Sequence, residues 1–303
     1  MSNGSPRSLR AYATLVRLPN LFTAPPDIIL GAALVASVSD TFPIWAVIGL
    51  SVASILLYAA GTTLNDCFDV TEDAHYRPER PLPSGVIERD RAFVVGISFL
   101  LGGIITASIV SGSVAGIIAG VLAFVILIYD GIFNGTITGF LFMGSSRALN
   151  VLLGMAIVEV VAKIPVRLLT IPLLILIYIA SVTYMAEQET GESDRTSVFI
   201  AIGGTVLATV GAIGFLIVHP TSLLNTALVM VLLLVFIIWT GQPLWSAYAH
   251  PSPKTIGPAV GRCVLGLTIL DAAFAATVSS KWALITLLFL IPSIGFSQMI
   301  SVT

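Results

Sequence analysis

What most constrains this chain is its division into ten apolar stretches, each close to the length at which a helix crosses a bilayer. They fall at 20–38, 43–64, 92–110, 114–130, 138–160, 168–186, 197–218, 222–240, 259–279 and 282–300. A spanning helix needs about 20 apolar residues. The third and fourth stretches are separated only by Ser111-Gly112-Ser113, which predicts a very tight turn. Pro292 interrupts the last stretch, which also follows closely on Lys281, so nine or ten spans are expected. An open sheet is excluded, because hydrocarbon does not tolerate unpaired strand edges. A lipid-facing barrel would alternate apolar and polar residues, and these runs do not. The expected fold class is all-α, a polytopic membrane bundle of nine or ten transmembrane helices.

Charge sets the orientation. Only 10% of the 303 residues are charged, against about 25% in a soluble domain. With the N-terminus in the cytoplasm, that side collects Arg7, Arg10, Arg17, Arg77, Arg80, Arg89, Arg91, Arg147, Arg195, Lys254 and Arg262. The other side receives only Lys163, Arg167 and Lys281. Such a bias in Lys and Arg fixes topology. Residues 1–17 are polar and basic, with no small-residue cleavage site behind a short apolar run. They are expected to be a cytoplasmic tail and not a removable signal peptide, on a single domain covering 1–303. Cys67 and Cys263 belong to no CxxC pattern, so neither a disulfide framework nor a zinc site is expected.

The acids follow the same geography. Asp66, Asp69, Glu72, Asp73, Glu79, Glu88 and Asp90 flank the second connection, and Glu187, Glu189, Glu192 and Asp194 fill the sixth. Two acidic windows far apart in sequence but on one side of the membrane suggest two halves of one site. The densest segment runs from Asn65 through Asp66, Asp69, Glu72 and Asp73. If the second helix continues through it, each residue advances about 100°, so Asp66 and Asp73 lie about 20° apart, with Asp69 and Asn65 on the same side. Hard oxygen ligands on a rigid element suit Mg²⁺, which also binds substrate phosphates. Ionisable groups at the membrane are functional by default. Next comes Arg77-Pro78-Glu79-Arg80-Pro81-Leu82-Pro83-Ser84-Gly85, a proline-stiffened loop from which two guanidinium groups project. That group matches phosphate oxygens in bidentate fashion.

Together these motifs resemble the UbiA superfamily of intramembrane prenyltransferases, which carries NDxxDxxxD at the end of its second helix, followed by an Arg-rich loop ending in RPLPSG. Here they read Asn65, Asp66, Asp69 and Asp73, then Arg80 to Gly85, and Arg17-Leu18-Pro19-Asn20 before the first helix is similar too. The resemblance implies helices around a central lipid-facing cavity, with Mg²⁺ holding the diphosphate of an isoprenoid donor. The acceptor would be a hydrophobic small molecule or lipid, the only other partners being membrane lipids; no nucleic-acid signature is present. Asp66, Asp69, Asp73, Arg77 and Arg80 would be catalytic. Asp66, Asp69 and Asp73, with Glu189 and Asp194 from the second motif, would hold the metal. Asn20, Asp27, Asn65, Tyr129, Arg147 and Asn150 would bind substrate.

Three departures matter. The family's second motif is DxxxD, whereas this chain reads Glu189-Thr190-Gly191-Glu192-Ser193-Asp194, with Glu189 expected to substitute for the first Asp. The family's fourth helix often ends in Tyr-x-x-x-Lys, whereas Tyr129-Asp130-Gly131-Ile132-Phe133-Asn134 has no lysine. Arg147 is expected to supply that charge. Asp27 and Asp271 lie inside spans, where a bare carboxylate is costly. Asp27 is expected to line the cavity; Asp271 is open between catalysis and a structural bond, with Arg262 as one partner. The departures resemble the EboC-like branch, in Asp27, Tyr129-Asp130, the Gly144-x-x-Arg147-x-Leu149-Asn150 segment and Leu270-Asp271-Ala272. A second reading stays open beside prenyl transfer: an inactive family member that binds or transports a lipid precursor. The contiguous DGxxAR and GxxxDxxxD pattern of phosphatidyltransferases is absent. His75, His219 and His250 form no ligand set by spacing. The pairs Gly102-Gly103 and Gly203-Gly204 are expected at close helix contacts.

Overall fold

Each of the ten apolar stretches is helical among the residues described by the computed structural model, which are 6–39, 43–136, 138–157, 164–187 and 195–298. A short helix α1 (Pro6–Leu15) and a single turn α2 (Leu18–Leu21) lead into α3 (Ala24–Ser39). Then come α4 (Ile44–Phe68), α5 (Val70–Tyr76), α6 (Arg89–Ile128), α7 (Gly139–Met155) and α8 (Thr170–Glu187). The chain continues through α9 (Arg195–Val218), α10 (Leu223–Ala249), α11 (Pro253–Val278), α12 (Ser280–Leu288) and α13 (Leu290–Ser297). Eight described stretches are long and apolar enough to cross a membrane. This is a multi-pass membrane protein of all-α architecture.

The longest helix, α6, makes two passes. Its helical backbone is interrupted at Ser111 (φ −135°, ψ 15°) and Gly112 (φ 82°, ψ −173°), and Gly112 takes a conformation that costs a residue with a Cβ. An unbroken helix would hold Ser108 and Gly116 about 12 Å apart along its axis. Instead a methyl placed on Gly116 would strike the Ser108 side chain. Gly96 packs on Leu64 of α4, and Ile126 packs over Gly61 of the same helix, so both ends of α6 return to one end of α4. The reversal expected at Ser111-Gly112-Ser113 is therefore a helical hairpin against α4.

The α2–α3 stretch and α11 lie at the middle, with 78% and 72% of their apolar windows buried, against 22% for the stretch containing α6. Glycines let α3 approach α7 closely: a methyl on Gly31 would strike the Val151 carbonyl oxygen, and one on Gly154 the Ile28 carbonyl oxygen. Such small-residue contacts replace the hydrophobic drive that is absent within lipid. Of the expected glycine contacts, Gly103 fits against Leu57 and Gly204 against Ser181, whereas Gly102 is only in ordinary contact with Leu56 and Gly203 faces open space. The fully buried Tyr178 of α8 donates its hydroxyl to the Cys263 carbonyl of α11 at 2.8 Å. Met230, Leu234, Ile238 and Trp245 of α10 are all exposed, as a lipid-facing stripe requires. The last stretch is divided at Phe289 into α12 and α13, and Phe296 stacks on Phe22 at 5.7 Å.

A second, smaller apolar cluster sits beside the bundle and positions the loop after α5. Leu82 and Ile87 pack with Ala11 and Leu15 of α1, Cys67 of α4 and Ala92 of α6. The loop is tied internally by Ser84 N–H to the Arg80 carbonyl (3.0 Å) and Ile87 N–H to the Pro81 carbonyl (3.1 Å). Burying Leu82 thus fixes the backbone two residues from Arg80.

Candidate functional site

The charged residues converge where α4 gives way to α5. The helix does not run straight through the acidic motif: Asp69 (φ −87°, ψ 4°) separates α4 from α5. Helical bonds still cross the joint, from Asp69 N–H to the Asn65 carbonyl (2.9 Å) and from Asp73 N–H to the Asp69 carbonyl (2.8 Å). The helix bends and is not ended. Asp66 and Asp73 keep a common direction, because one Arg80 nitrogen lies 3.6 Å from Asp66 and 2.8 Å from Asp73. Asp69 turns elsewhere and accepts from the Asn134 amide at 2.7 Å. Burial pushes the Asp69 carboxyl above its ordinary range, and Asp73, Glu72 and Asp66 push the same way, against the Asn134 bond.

Arg17 enters from the opposite wall. Its backbone is left-handed (φ 49°, ψ 55°), the one positive φ at a described non-glycine residue. Such a conformation costs about 1–2 kcal/mol. It aims the guanidinium at Asn65 Oδ1 (3.2 Å) and Asp66 Oδ1 (3.4 Å). Asn20 follows within α2, half-buried, and Arg77 is exposed on the loop after α5.

The end of α6 closes the third side. Residues Tyr129–Phe133 form a widened turn in which Asn134 N–H reaches the Tyr129 carbonyl, five residues back, at 2.7 Å. Widened turns of this kind recur at functional sites. Here the turn makes two reciprocal links to α4 and its bend: Asn65 Nδ2 donates to Asp130 Oδ1 at 3.4 Å, and Asn134 donates back to Asp69. Tyr129 has Glu187 of α8 and Asp130 as charged neighbours. Glu187, whose Oε1 is buried with no partner among the described residues, is the member of the second acidic window that falls among them. Glu189 and Asp194 lie outside them.

Asp27, Arg147 and Asn150 form a separate cluster. Arg147 donates to the Thr23 carbonyl (2.9 Å), Thr23 Oγ1 (2.7 Å) and Asp27 Oδ2 (3.2 Å), and Asn150 donates to the same Asp27 oxygen at 2.8 Å. Arg147 also lies over the Tyr58 ring, 5.4 Å from its centre. Its guanidinium thus bonds to Thr23 and to Asp27 of α3, and Tyr58 of α4 is a close neighbour of both Arg147 and Arg17. Asp271 faces Asp27 across the α3–α11 contact. It does not pair with Arg262, which stacks over Trp239 at 4.3 Å.

A family model, described as the UbiA prenyltransferase family, matches residues 28–197, more than half of the chain. The chain belongs to the UbiA prenyltransferase family. A digeranylgeranylglyceryl phosphate synthase from Sulfurisphaera tokodaii is 35% identical over 104 residues, covering 34% of this chain and 37% of that protein. Its counterpart from Ignicoccus hospitalis is 29% identical over 172 residues, covering 56% of this chain and 55% of that protein. The matches thus span between about a third and about half of those relatives' lengths. A UbiA homolog from Archaeoglobus fulgidus bound to DMAPP and Mg²⁺ superposes with a TM-score of 0.61 at 12% identity, covering 94% of this chain and 98% of that chain. That likeness concerns the fold.

In this UbiA chain no three His, Cys, Asp or Glu side chains among the described residues are arranged to hold a metal ion. The donor set nevertheless fits a hard divalent cation. Among the described residues, Asp66, Asp69, Asp73 and Asp130 meet two guanidinium groups, those of Arg17 and Arg80, and the Oδ2 atom of Asp130 is buried without a partner. Three contributors went unassigned at the level of sequence: Arg17, Asn134 and Asp130. Arg17 carried a signal, a lone cation just ahead of Pro19 at the start of a span. The other two depend on the widened turn, which no local pattern announces.

Proposed function

We propose that this protein transfers a prenyl group from an isoprenoid diphosphate to a membrane-soluble acceptor and releases pyrophosphate. The observation that carries the reading is the layer of Asp66, Asp69, Asp73, Arg17 and Arg80, clamped together where α4 bends and next to an otherwise apolar bundle. Arg17 and Arg80 would exchange their carboxylate contacts for oxygens of the diphosphate, whose negative charge grows as the bond to the prenyl carbon breaks. Asp66, Asp69 and Asp73 would hold Mg²⁺, with Glu189 and Asp194 as the proposed partners from the second motif. Mg²⁺ bound there supplies positive charge that stabilises the departing diphosphate. Asn65 orients the layer by linking Arg17 to Asp130.

The Lys and Arg bias supports a cytoplasmic N-terminus and a cytoplasmic site. The relatives' names make glyceryl phosphate lipids the first acceptors to try. The test is pyrophosphate release by purified protein in lipid, with geranylgeranyl diphosphate, a membrane-lipid extract, and Mg²⁺ with or without chelator. Metal-dependent release with a new prenylated lipid in the mass spectrum is expected. Tight donor binding without release would instead favour the lipid-precursor binding or transport reading.

A further inference from the structure

We propose that Asp130 is a metal ligand, so that a divalent cation is held between the second membrane pass and the widened turn that ends α6, and not by the α4–α5 bend alone. The inference rests on the diphosphate site proposed above and adds a ligand from a different helix.

Three observations converge on Asp130. First, it is 6% exposed, and its Oδ2 has no hydrogen-bond partner among the described residues, whereas Oδ1 accepts from Asn65. A buried carboxylate oxygen left empty is costly, and native structures fill such positions with a proton, a water or an ion. Second, the groups around it are Asp69, Arg17, Asn65 and Asp66. Of the four carboxylates in this layer, Asp66 and Asp73 meet guanidinium groups and Asp69 meets an amide. The side of the layer formed by Asp69 and Asp130 therefore holds two carboxylates with amide donors alone among the described residues, and the negatively charged diphosphate of the proposed function would have to approach it. Third, the widened turn is what brings Asp130 there. It gives α6 two polar side chains facing the bend, one for each of Asn65 and Asp69. A hard cation between Asp69 and Asp130 fills the empty oxygen, removes the repulsion and presents positive charge to the diphosphate.

The test is direct binding of Mn²⁺, as a spectroscopic stand-in for Mg²⁺, to purified protein in lipid nanodiscs. Free ion is read by electron paramagnetic resonance, alone and with inorganic pyrophosphate. Asp130→Asn and Asp130→Ser are expected to weaken Mn²⁺ binding about tenfold or more. Asp130→Glu keeps the carboxylate and should stay within a few-fold of the unaltered protein, and Glu88→Gln, an exposed acid paired with Arg91, should be unchanged. A purely structural Asp130 predicts the opposite for Asp130→Asn, since an amide oxygen still accepts from Asn65; unaltered Mn²⁺ affinity there overturns the assignment. Metal-free unfolding temperatures report whether each variant folds. If Asp130→Asn does not, the contrast between Ser and Glu decides, and Ser with unaltered affinity overturns the assignment as well. Asp69→Asn separates the two levels of argument. Loss of Mn²⁺ in Asp69→Asn but not in Asp130→Asn removes the new ligand and leaves the proposed function standing. No Mn²⁺ binding by the unaltered protein, even with pyrophosphate, removes both.

Discussion

Arg147→Met probes the buried cluster that joins α3, α7 and α11. The guanidinium, with its side chain 11% exposed, makes bonds of 2.9, 2.7 and 3.2 Å to the Thr23 carbonyl, Thr23 Oγ1 and Asp27 Oδ2. Methionine keeps much of the stem's volume and removes both charge and donors. Asp27, fully buried, would be left with Asn150 as its donor and with Asp271 against it. Breaking one side of a buried ion pair costs about 3–5 kcal/mol. Adding Asp27→Asn removes the stranded carboxylate, while the new amide oxygen still accepts from Asn150. The double variant should therefore be more stable than Arg147→Met alone, by about 1–3 kcal/mol. Equilibrium unfolding in mixed micelles, followed by tryptophan fluorescence, measures both. If the two losses simply add, the cluster is not held together by its central ion pair and the argument fails.

Further consequences follow from the same geometry. Arg80→Ala should lower the rate of pyrophosphate release about 10²- to 10³-fold, and Arg80→Lys should recover only part of it, because an ammonium cannot offer a planar fork; single-turnover kinetics measure both. Gly154→Ala should cost about 1–3 kcal/mol, since the added methyl meets the Ile28 backbone and cannot be relieved by a rotamer change; the same micelle titration reads it. Because burial raises the Asp69 carboxyl above its ordinary range, protons compete with metal at higher pH than at an exposed aspartate. Mn²⁺ affinity should thus fall on acidification before an ordinary carboxylate titrates, and a pH series of binding isotherms checks this.

The spans were legible because hydrocarbon imposes a length and an apolar composition on every helix that crosses it. The hairpin within α6 was legible because Ser111-Gly112-Ser113 is too short for anything but a reversal, and Gly112 supplies the positive φ. The acidic motif and Arg80 were also readable, since their spacing along one helix and one short loop is local. What escaped was set by contacts between distant segments. Asn65 meets Asp130, and Asn134 meets Asp69, each across 65 residues, and both meetings require an extra residue in the turn that ends α6. The bonds from Arg147 to Thr23 and Asp27 could not be read from its own segment, because they depend on the close α3–α7 contact at Gly31 and Gly154. Asp271 found Asp27 and not Arg262 because α11 packs on α3 at that level, which periodicity along α11 alone does not encode.

The most direct test of the central claim is pyrophosphate release from geranylgeranyl diphosphate by Asp66→Asn and Asp69→Asn, beside the unaltered protein, in lipid with Mg²⁺ and a lipid-extract acceptor. The account predicts metal-dependent release by the unaltered protein and its near loss in both variants, with folding retained. Release at the unaltered rate by either variant would contradict the claim that the α4–α5 bend is the reaction centre.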